Sequence, residues 1–153
     1  MRRSRVKRLY PDQPVVGIGV VIASKGKIML TQRGNEPSKG KWTIPGGLVE
    51  LGESITTAVI REAKEETCLD VENPRLIDVV DNVDLDESGK VKYHYVIVDY
   101  FVTVKGGTLS AASDAADLRW VRLDEVENYD LTASFRVFFK HNRQRLEKFN
   151  SYC

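Results

Sequence analysis

Apolar and polar residues alternate along the chain in a pattern that predicts several short β-strands. Residues 15–23 and 27–32 are extended runs separated by Ser24, Lys25 and Gly26, which predicts a β-hairpin. A third short strand over residues 42–44 ends at the sequence Pro45-Gly46-Gly47. Three later runs, at residues 71–83, 93–104 and 118–121, are also predicted as strands.

Two segments have the spacing of amphipathic helices. Residues 55–67 contain no Gly or Pro and follow Ser54, a suitable N-cap, so a first helix is expected there. Residues 133–149 place apolar side chains on one helical face, which is typical of core packing. Loops are expected over residues 35–41, 84–90 and 106–116, with one helical turn over 123–126. The order β-β-β-α-β-β-β-α predicts an α/β (α+β) sandwich.

Composition places the chain among ordinary globular proteins. Its 153 residues suit one domain, with 42% hydrophobic and 29% charged residues and a formal net charge of +1. No apolar run is long enough to span a bilayer and no signal peptide is expected, so we expect no membrane partner. The two cysteines, Cys68 and Cys153, form no Cys-x-x-Cys pair, which favours a reducing cytoplasm and no zinc site.

Residues 1–14 form a basic N-terminal arm. Five of the first eight residues are Lys or Arg. Such a run can contact nucleic acid or anionic lipid, but it is more often a solvated terminus, and we expect no nucleic-acid partner. The pair Gly17-x-Gly19 lacks the third glycine of a dinucleotide-binding fingerprint, and the run continues as a strand.

Three glutamates on the first predicted helix, Glu62, Glu65 and Glu66, lie beside its apolar face. On a helical wheel with Ile55 at zero they fall at about 340°, 280° and 20°, next to the apolar stripe. Like charges at this spacing destabilise a helix, and Lys64, at about 180°, is on the wrong side to neutralise them. The cluster therefore needs a cation, and oxygen ligands favour Mg²⁺ or Mn²⁺. The wheel alone leaves open an exposed acidic helix.

The segment from residue 47 to 69 resembles the box of the Nudix hydrolases, the MutT-like family, with the ADP-ribose pyrophosphatase type most similar. The box is a glycine, five residues, Glu, seven residues, Arg-Glu, an aliphatic residue, any residue, Glu-Glu, any residue, glycine and an aliphatic residue. The matching positions are Gly47, Glu53, Arg61, Glu62, Glu65, Glu66 and Leu69. Ala63 is small for its aliphatic position. Cys68 replaces the glycine after the helix, where a left-handed C-cap costs a residue with a Cβ about 1 kcal/mol.

The resemblance implies a Nudix-type α/β/α sandwich with a mixed sheet, a single domain over residues 15–150. It also implies hydrolysis of a nucleoside diphosphate linked to another moiety, with water attacking phosphorus and two or more Mg²⁺ or Mn²⁺ ions as cofactors. The implied metal ligands are Glu62, Glu65 and Glu66. The implied role of Arg61 and Glu53 is mainly an ion pair that holds the loop to the helix, with a phosphate contact as the alternative for Arg61.

Substrate contacts are less specific in the sequence. The backbone of Gly46 and Gly47 can approach metal or phosphate closely because no side chain intervenes, and Arg33 can pair with phosphate. All three also suit an ordinary turn or surface. Aromatic residues that either stack on a nucleobase or fill the core are Trp42, Tyr93, Tyr95 and Tyr100.

The general base has two candidate sources. Glu66 can serve, or a carboxylate of the loop over residues 106–116. In that loop Asp114 lies six residues before Trp120, a spacing that resembles the loop acid of mutator-type members, and Asp117 is close by. Loop aspartates are also common turn formers.

Three functions fit the small nucleotide substrate that the resemblance implies. The leading one is an ADP-ribose pyrophosphatase that yields AMP and ribose 5-phosphate. The alternative is a pyrophosphohydrolase of the mutator type acting on (oxidised) nucleoside triphosphates, and the third is a catalytically silent nucleotide-binding regulatory module. Leu85 and its neighbours occupy the region where many ADP-ribose enzymes carry a proline, but the four box glutamates and the arginine are present, which disfavours the silent module. A homodimer is an expectation that the sequence leaves open.

Overall fold

The computed structural model describes residues 6–110 and 115–150. Its strands are β1 (Val15–Ser24), β2 (Lys27–Arg33), β3 (Trp42–Thr43), β4 (Gly46–Leu48), β5 (Leu69–Leu85), β6 (Val91–Gly107) and β7 (Ala115–Arg122). Its helices are α1 (Ile55–Thr67), α2 (Ala133–Asn150) and a 3-10 helix (Leu123–Asn128) where one helical turn was predicted. Within these described ranges, no helix has both the length and the hydropathy needed to cross a membrane.

Strand β1 lies in the middle of one mixed sheet. The strand order is β3-β2-β1-β6-β5, with β4 added to β1 and β7 added to β2. Strands β1 and β6 run parallel, starting at the pair Val15 and Tyr95. Strand β4 pairs antiparallel with the first half of β1 and puts Gly47 opposite Ile18. Strand β4, which contains Gly46 and Gly47, and the first part of β6 therefore lie on either side of the first half of β1.

Each face of the sheet is covered by one helix. Val20 of β1 packs in a core with Val59 of α1, whereas its neighbour Val21 packs in a second core with Phe139 of α2. Because successive side chains of a strand point to opposite faces, the two helices lie on opposite sides of the sheet. The predicted α/β/α sandwich with a mixed sheet is confirmed.

Several element boundaries differ from the prediction, and strand pairing explains the differences. The segment Gly46–Leu48 was expected to end a strand but forms β4 itself, because its backbone pairs with β1. Strands β5 and β6 are longer than predicted, since they pair with each other along most of their length. Both ends of the expected loop over residues 106–116 belong to strands, because β6 continues to Gly107 and β7 begins at Ala115.

Candidate active site

Helix α1 has defined caps at both ends. The Ser54 hydroxyl accepts the Thr57 backbone N–H at 3.2 Å, as expected for an N-cap. At the other end Cys68 has φ 63° and ψ 9°, the left-handed conformation, and its backbone N–H donates to the Lys64 carbonyl. The predicted helix bounds and the left-handed position of Cys68 are confirmed. The C-cap fixes the end of the last two turns, which carry the glutamates.

The small side chain at position 63 has a packing reason. Ala58, Val59 and Ala63 are fully buried against the sheet. They belong to the apolar core that α1 shares with Val20 and Val102 of the central strands. A small residue lets the helix backbone approach the sheet closely, so this departure from the family pattern coincides with a site of tight packing.

Arg61 connects four parts of the site. Its Nε and Nη2 donate to the two carboxylate oxygens of Glu53 at 2.6 and 2.9 Å, a bidentate pair. Its Nη1 donates to Glu62 Oε1 at 2.8 Å and to Glu65 Oε2 at 3.1 Å, and its Nη2 also donates to the Leu48 carbonyl at 3.0 Å. The guanidinium therefore ties the loop before α1 and the end of β4 to the helix.

This network corrects one step of the helical-wheel argument. That argument weighed only Lys64 as a neutralising side chain and left out Arg61, which lies at about 240° on the wheel, opposite the apolar stripe. Its long side chain nevertheless folds back onto Glu62 and Glu65. The repulsion between these carboxylates is thus partly offset by a cation of the protein itself. The Arg61 contact also holds the pKa of Glu53 below its usual range.

Gly46 and Gly47 pack directly against the glutamates. A Cβ at Gly47 would overlap the carboxylate of Glu62. The Gly46 backbone N–H donates to Glu66 Oε2 at 3.3 Å. Burial raises the pKa of Glu62, and the Arg61 contacts only partly oppose that rise. Because these glycines have no side chain, the carboxylates of Glu62 and Glu66 can pack directly against the backbone of β4.

The chemistry of this donor set fits a hard divalent ion. Three carboxylates project from adjoining turns of one helix beside a glycine backbone, and such oxygen donors suit Mg²⁺ or Mn²⁺. Among the described residues, however, no group of three or more acidic, His or Cys side chains converges on a single point. One oxygen each of Glu62 and Glu65 is bonded to Arg61 instead. Shared coordination therefore requires these side chains to reorient toward one another.

The other predicted polar residues that the structure describes make contacts within their own segments. Arg33 ends β2, and its Nε donates to the Pro37 carbonyl at 2.7 Å in the adjoining loop. Asp117 on β7 accepts a bond from Arg119 at 3.1 Å. Asp114 lies outside the described residues. Of the two candidate bases that the structure describes, Glu66 is the one bonded to the backbone of Gly46.

The four aromatic candidates separate into two groups. Trp42 is 8% exposed and packs edge-on against Tyr129, and Tyr100 packs against the core beneath α1. Tyr93 and Tyr95 are half-buried neighbours on one face of β6, with stacked rings 6.3 Å apart. Tyr93 and Tyr95 are therefore partly exposed rings that do not belong to either core.

Sequence reasoning missed a buried acid on β6. Asp99 is 4% exposed, and its carboxylate lies where a Cβ on Gly19 would be. Burial, and secondarily the charge of Asp78, raises the pKa of Asp99 to about 7. The sequence contained one signal for this acid, because Asp99 is a charged residue within an apolar strand. In the sheet it lies opposite Gly19 of the neighbouring strand β1.

Comparison with known proteins gives concordant matches. The NUDIX domain model matches residues 11–141. The chain is 36% identical over 136 residues to an ADP-ribose pyrophosphatase of Methanocaldococcus jannaschii, covering 89% of this chain and 73% of that protein. A solved MutT NUDIX hydrolase from Burkholderia pseudomallei superposes with a TM-score of 0.71 and 32% identity, covering 82% of this chain and 95% of that one. The NUDIX domain of Shewanella oneidensis NrtR, solved with ADP ribose, shares the fold with a TM-score of 0.72 at 23% identity, covering 88% of this chain and 90% of that one.

Proposed function

Because this chain belongs to the NUDIX domain family, we propose that it hydrolyses ADP-ribose to AMP and ribose 5-phosphate. The chain is a hydrolase of phosphoanhydride bonds that acts on nucleoside diphosphate derivatives, and Nudix hydrolases generally need divalent metal ions. The observation that carries the proposal is that Arg61 and the three glutamates of the box lie on α1 against Gly46 and Gly47. The name of the Methanocaldococcus jannaschii relative supports the choice of ADP-ribose.

Glu62, Glu65 and Glu66 are the proposed ligands of two or more Mg²⁺ or Mn²⁺ ions. When bound, such ions screen the charge of the diphosphate and lower the pKa of a coordinated water. Arg61 bonds one oxygen each of Glu62 and Glu65, which holds both carboxylates at the site. Its bidentate pair with Glu53 keeps the guanidinium beside them, where a phosphate contact is its alternative role.

The remaining residues are proposed to bind and orient the substrate. Gly46 and Gly47 let the diphosphate approach the strand backbone, and Arg33 pairs with a phosphate oxygen. Tyr95 offers ring surface to the nucleobase, since it is half-buried whereas Trp42 is packed in the core.

Glu66 is the proposed general base, with Asp114 as the alternative. The bond from the Gly46 N–H holds the Glu66 carboxylate beside β4, and a carboxylate in this position is suited to take a proton from water. Asp117 is disfavoured as the base because it already pairs with Arg119.

A second candidate function is hydrolysis of oxidised nucleoside triphosphates. The MutT NUDIX hydrolase, at 32% identity over most of its length, favours it. A silent regulatory module is disfavoured because Glu53, Arg61 and the three glutamates are all present, and Arg61 is bonded to Glu53, Glu62 and Glu65. A homodimer and a cytoplasmic location stay predictions.

A substrate panel tests the proposal. With Mg²⁺ or Mn²⁺, we expect AMP and ribose 5-phosphate from ADP-ribose, a lower kcat/KM for deoxynucleoside triphosphates, and no hydrolysis of simple phosphate monoesters. If kcat/KM for an oxidised deoxyguanosine triphosphate exceeds that for ADP-ribose tenfold, about 1.4 kcal/mol of transition-state preference, the mutator-type function replaces ours. No turnover of any nucleotide in the panel would favour the silent module.

A further inference from the structure

Asp99 on β6 is a buried acid without a polar partner. It is 4% exposed, and within the described part of the chain no hydrogen bond or ion pair reaches its carboxylate. A Cβ on Gly19 would overlap Asp99 Oδ1 and lie 3.1 Å from Ile44 Cδ1, so the carboxylate occupies the space left by that glycine. Buried acids are usually paired, because an unpaired one is desolvated without a compensating bond. Packing alone therefore does not explain an acid at this position.

The Asp99 carboxylate keeps a small contact with solvent. Among the described side chains that are not exposed, Asn150 Oδ1 is the one nitrogen or oxygen atom that is both fully enclosed and unpaired. The oxygens of Asp99 are also unpaired, so they are not fully enclosed. A polar group of a ligand can therefore approach this carboxylate.

The opening lies where the cover of helix α2 ends. Phe101, two residues after Asp99 on the same strand face, is 3% exposed and packs on Phe149 of α2, with ring centres 5.2 Å apart. Tyr95 and Ile97, which precede Asp99 on that face, are half-buried. Asp99 thus lies at the border between a covered part and a partly open part of the sheet.

This border lies one strand away from the backbone that contacts the glutamates. Gly19 pairs with Gly46 of β4, and neighbouring strands are about 5 Å apart. The Gly46 N–H donates to Glu66 Oε2, so it points away from β1. Among the described strands β4 pairs with β1 alone, and its outer edge is therefore an edge of the sheet. A ligand held at the glutamates can extend around this edge toward Asp99.

We propose that Asp99 binds the substrate by accepting a hydrogen bond from a hydroxyl or amino group of the moiety attached to the diphosphate. A charged carboxylate is an acceptor only, so it suits such donors. A buried acceptor also discriminates strongly, because a ligand that lacks the donor leaves it unpaired. The proposal rests on the proposed function for the nature of the ligand. It makes Asp99 a residue that determines substrate specificity, and it accounts for an acid that the fold itself leaves unpaired.

Asp99→Asn tests the proposal, with Asp78→Asn as the matched control. Asp78 is the cross-strand neighbour of Asp99, and its carboxylate is already bonded to Asn142 at 2.9 Å. Each variant removes one negative charge, which by itself favours binding of an anionic ligand. The probes are AMP and ribose 5-phosphate, the two halves of ADP-ribose. They are titrated by calorimetry on the full chain with Mg²⁺ at about pH 8, where the Asp99 carboxyl is charged.

We expect Asp99→Asn to raise the Kd of at least one probe at least fivefold, and Asp78→Asn to raise neither. The probe that is affected shows which half of the substrate Asp99 contacts. An unchanged or lower Kd for both probes in Asp99→Asn overturns the proposal. Equal effects of the two variants, or no binding of either probe to the wild type, also overturn it.

Two analogues of AMP identify the donor when AMP is the affected probe. IMP lacks the amino group of adenine, and 2′-deoxy-AMP lacks one ribose hydroxyl. The analogue that lacks the donor should bind the wild type and Asp99→Asn equally, and if neither does so, the donor is the 3′ hydroxyl. Hydrolysis of ADP-ribose is assayed independently on the wild type. Binding that depends on Asp99 without turnover would contradict the proposed function and leave the role of Asp99 standing.

Discussion

Asp99→Asn tests whether a buried carboxyl limits the stability of the fold above neutral pH. In the folded chain the pKa of Asp99 is raised from 3.8 to about 7, first by burial and then by the charge of Asp78. Between these two values the folded protein holds a proton that the unfolded chain has released. The free energy of unfolding therefore falls as pH rises through this window, and the loss is complete above about pH 7.

The size of the effect follows from the pKa difference. Each pKa unit corresponds to about 1.4 kcal/mol, so a rise of about 3 units sets an upper bound near 4 kcal/mol. Asparagine keeps the shape of the side chain beside Gly19 but does not titrate in this range. We expect Asp99→Asn to be more stable than the wild type at about pH 8.5 and to lose that advantage at about pH 5.

Urea unfolding at a series of pH values between these limits measures the effect. Asp81→Asn, at an exposed position of the neighbouring strand, controls for the removal of one carboxylate. The difference in unfolding free energy between Asp99→Asn and the wild type should grow with pH, mostly between about pH 4 and 7. A difference that is constant across the whole range would refute the assignment of a buried titrating group at Asp99.

Two further substitutions test the ends of the site. Cys68→Gly removes a Cβ from a residue in the left-handed conformation, with φ 63°, and should raise the free energy of unfolding by up to about 1 kcal/mol. The change is measured as a higher urea midpoint at unchanged m. A lower midpoint would mean that packing of the thiol contributes more than the backbone conformation costs. Gly47→Ala adds a Cβ that overlaps the Glu62 carboxylate and should reduce kcat/KM for ADP-ribose at least tenfold. Gly106→Ala, where a Cβ meets nothing within 4 Å, is its control, and equal activity of the two variants would contradict the packing argument.

Local signals in the sequence were sufficient for the first helix. Ser54 supplies a side-chain acceptor, residues 55–67 contain no helix breaker, and Cys68 holds the left-handed cap position. These features act within one turn of the helix, so they can be read without knowing the rest of the fold. The approximate orientation of the three glutamates follows from the same periodicity.

Features that depend on distant parts of the chain could not be predicted this way. Gly46 and Gly47 have the composition of a turn, and only pairing with β1 makes them a strand. Arg61 has a fixed place on the wheel, but its side chain is long enough to reach around the helix. The arm has the composition of a solvated terminus, and a single tyrosine bonded to a turn 76 residues away gives it a defined path.

The central claim is that the carboxylates on α1 hold the divalent ions on which hydrolysis depends. Binding of Mn²⁺, followed by electron paramagnetic resonance, tests it most directly when the wild type is compared with Glu65→Gln and Glu66→Gln. Glu72→Gln, which removes an exposed carboxylate on β5, is the control. We predict that the two α1 variants bind Mn²⁺ more weakly and lose ADP-ribose hydrolysis, while the control matches the wild type. Wild-type Mn²⁺ binding and turnover in both α1 variants, or a hydrolysis rate that EDTA leaves unchanged, would contradict the claim.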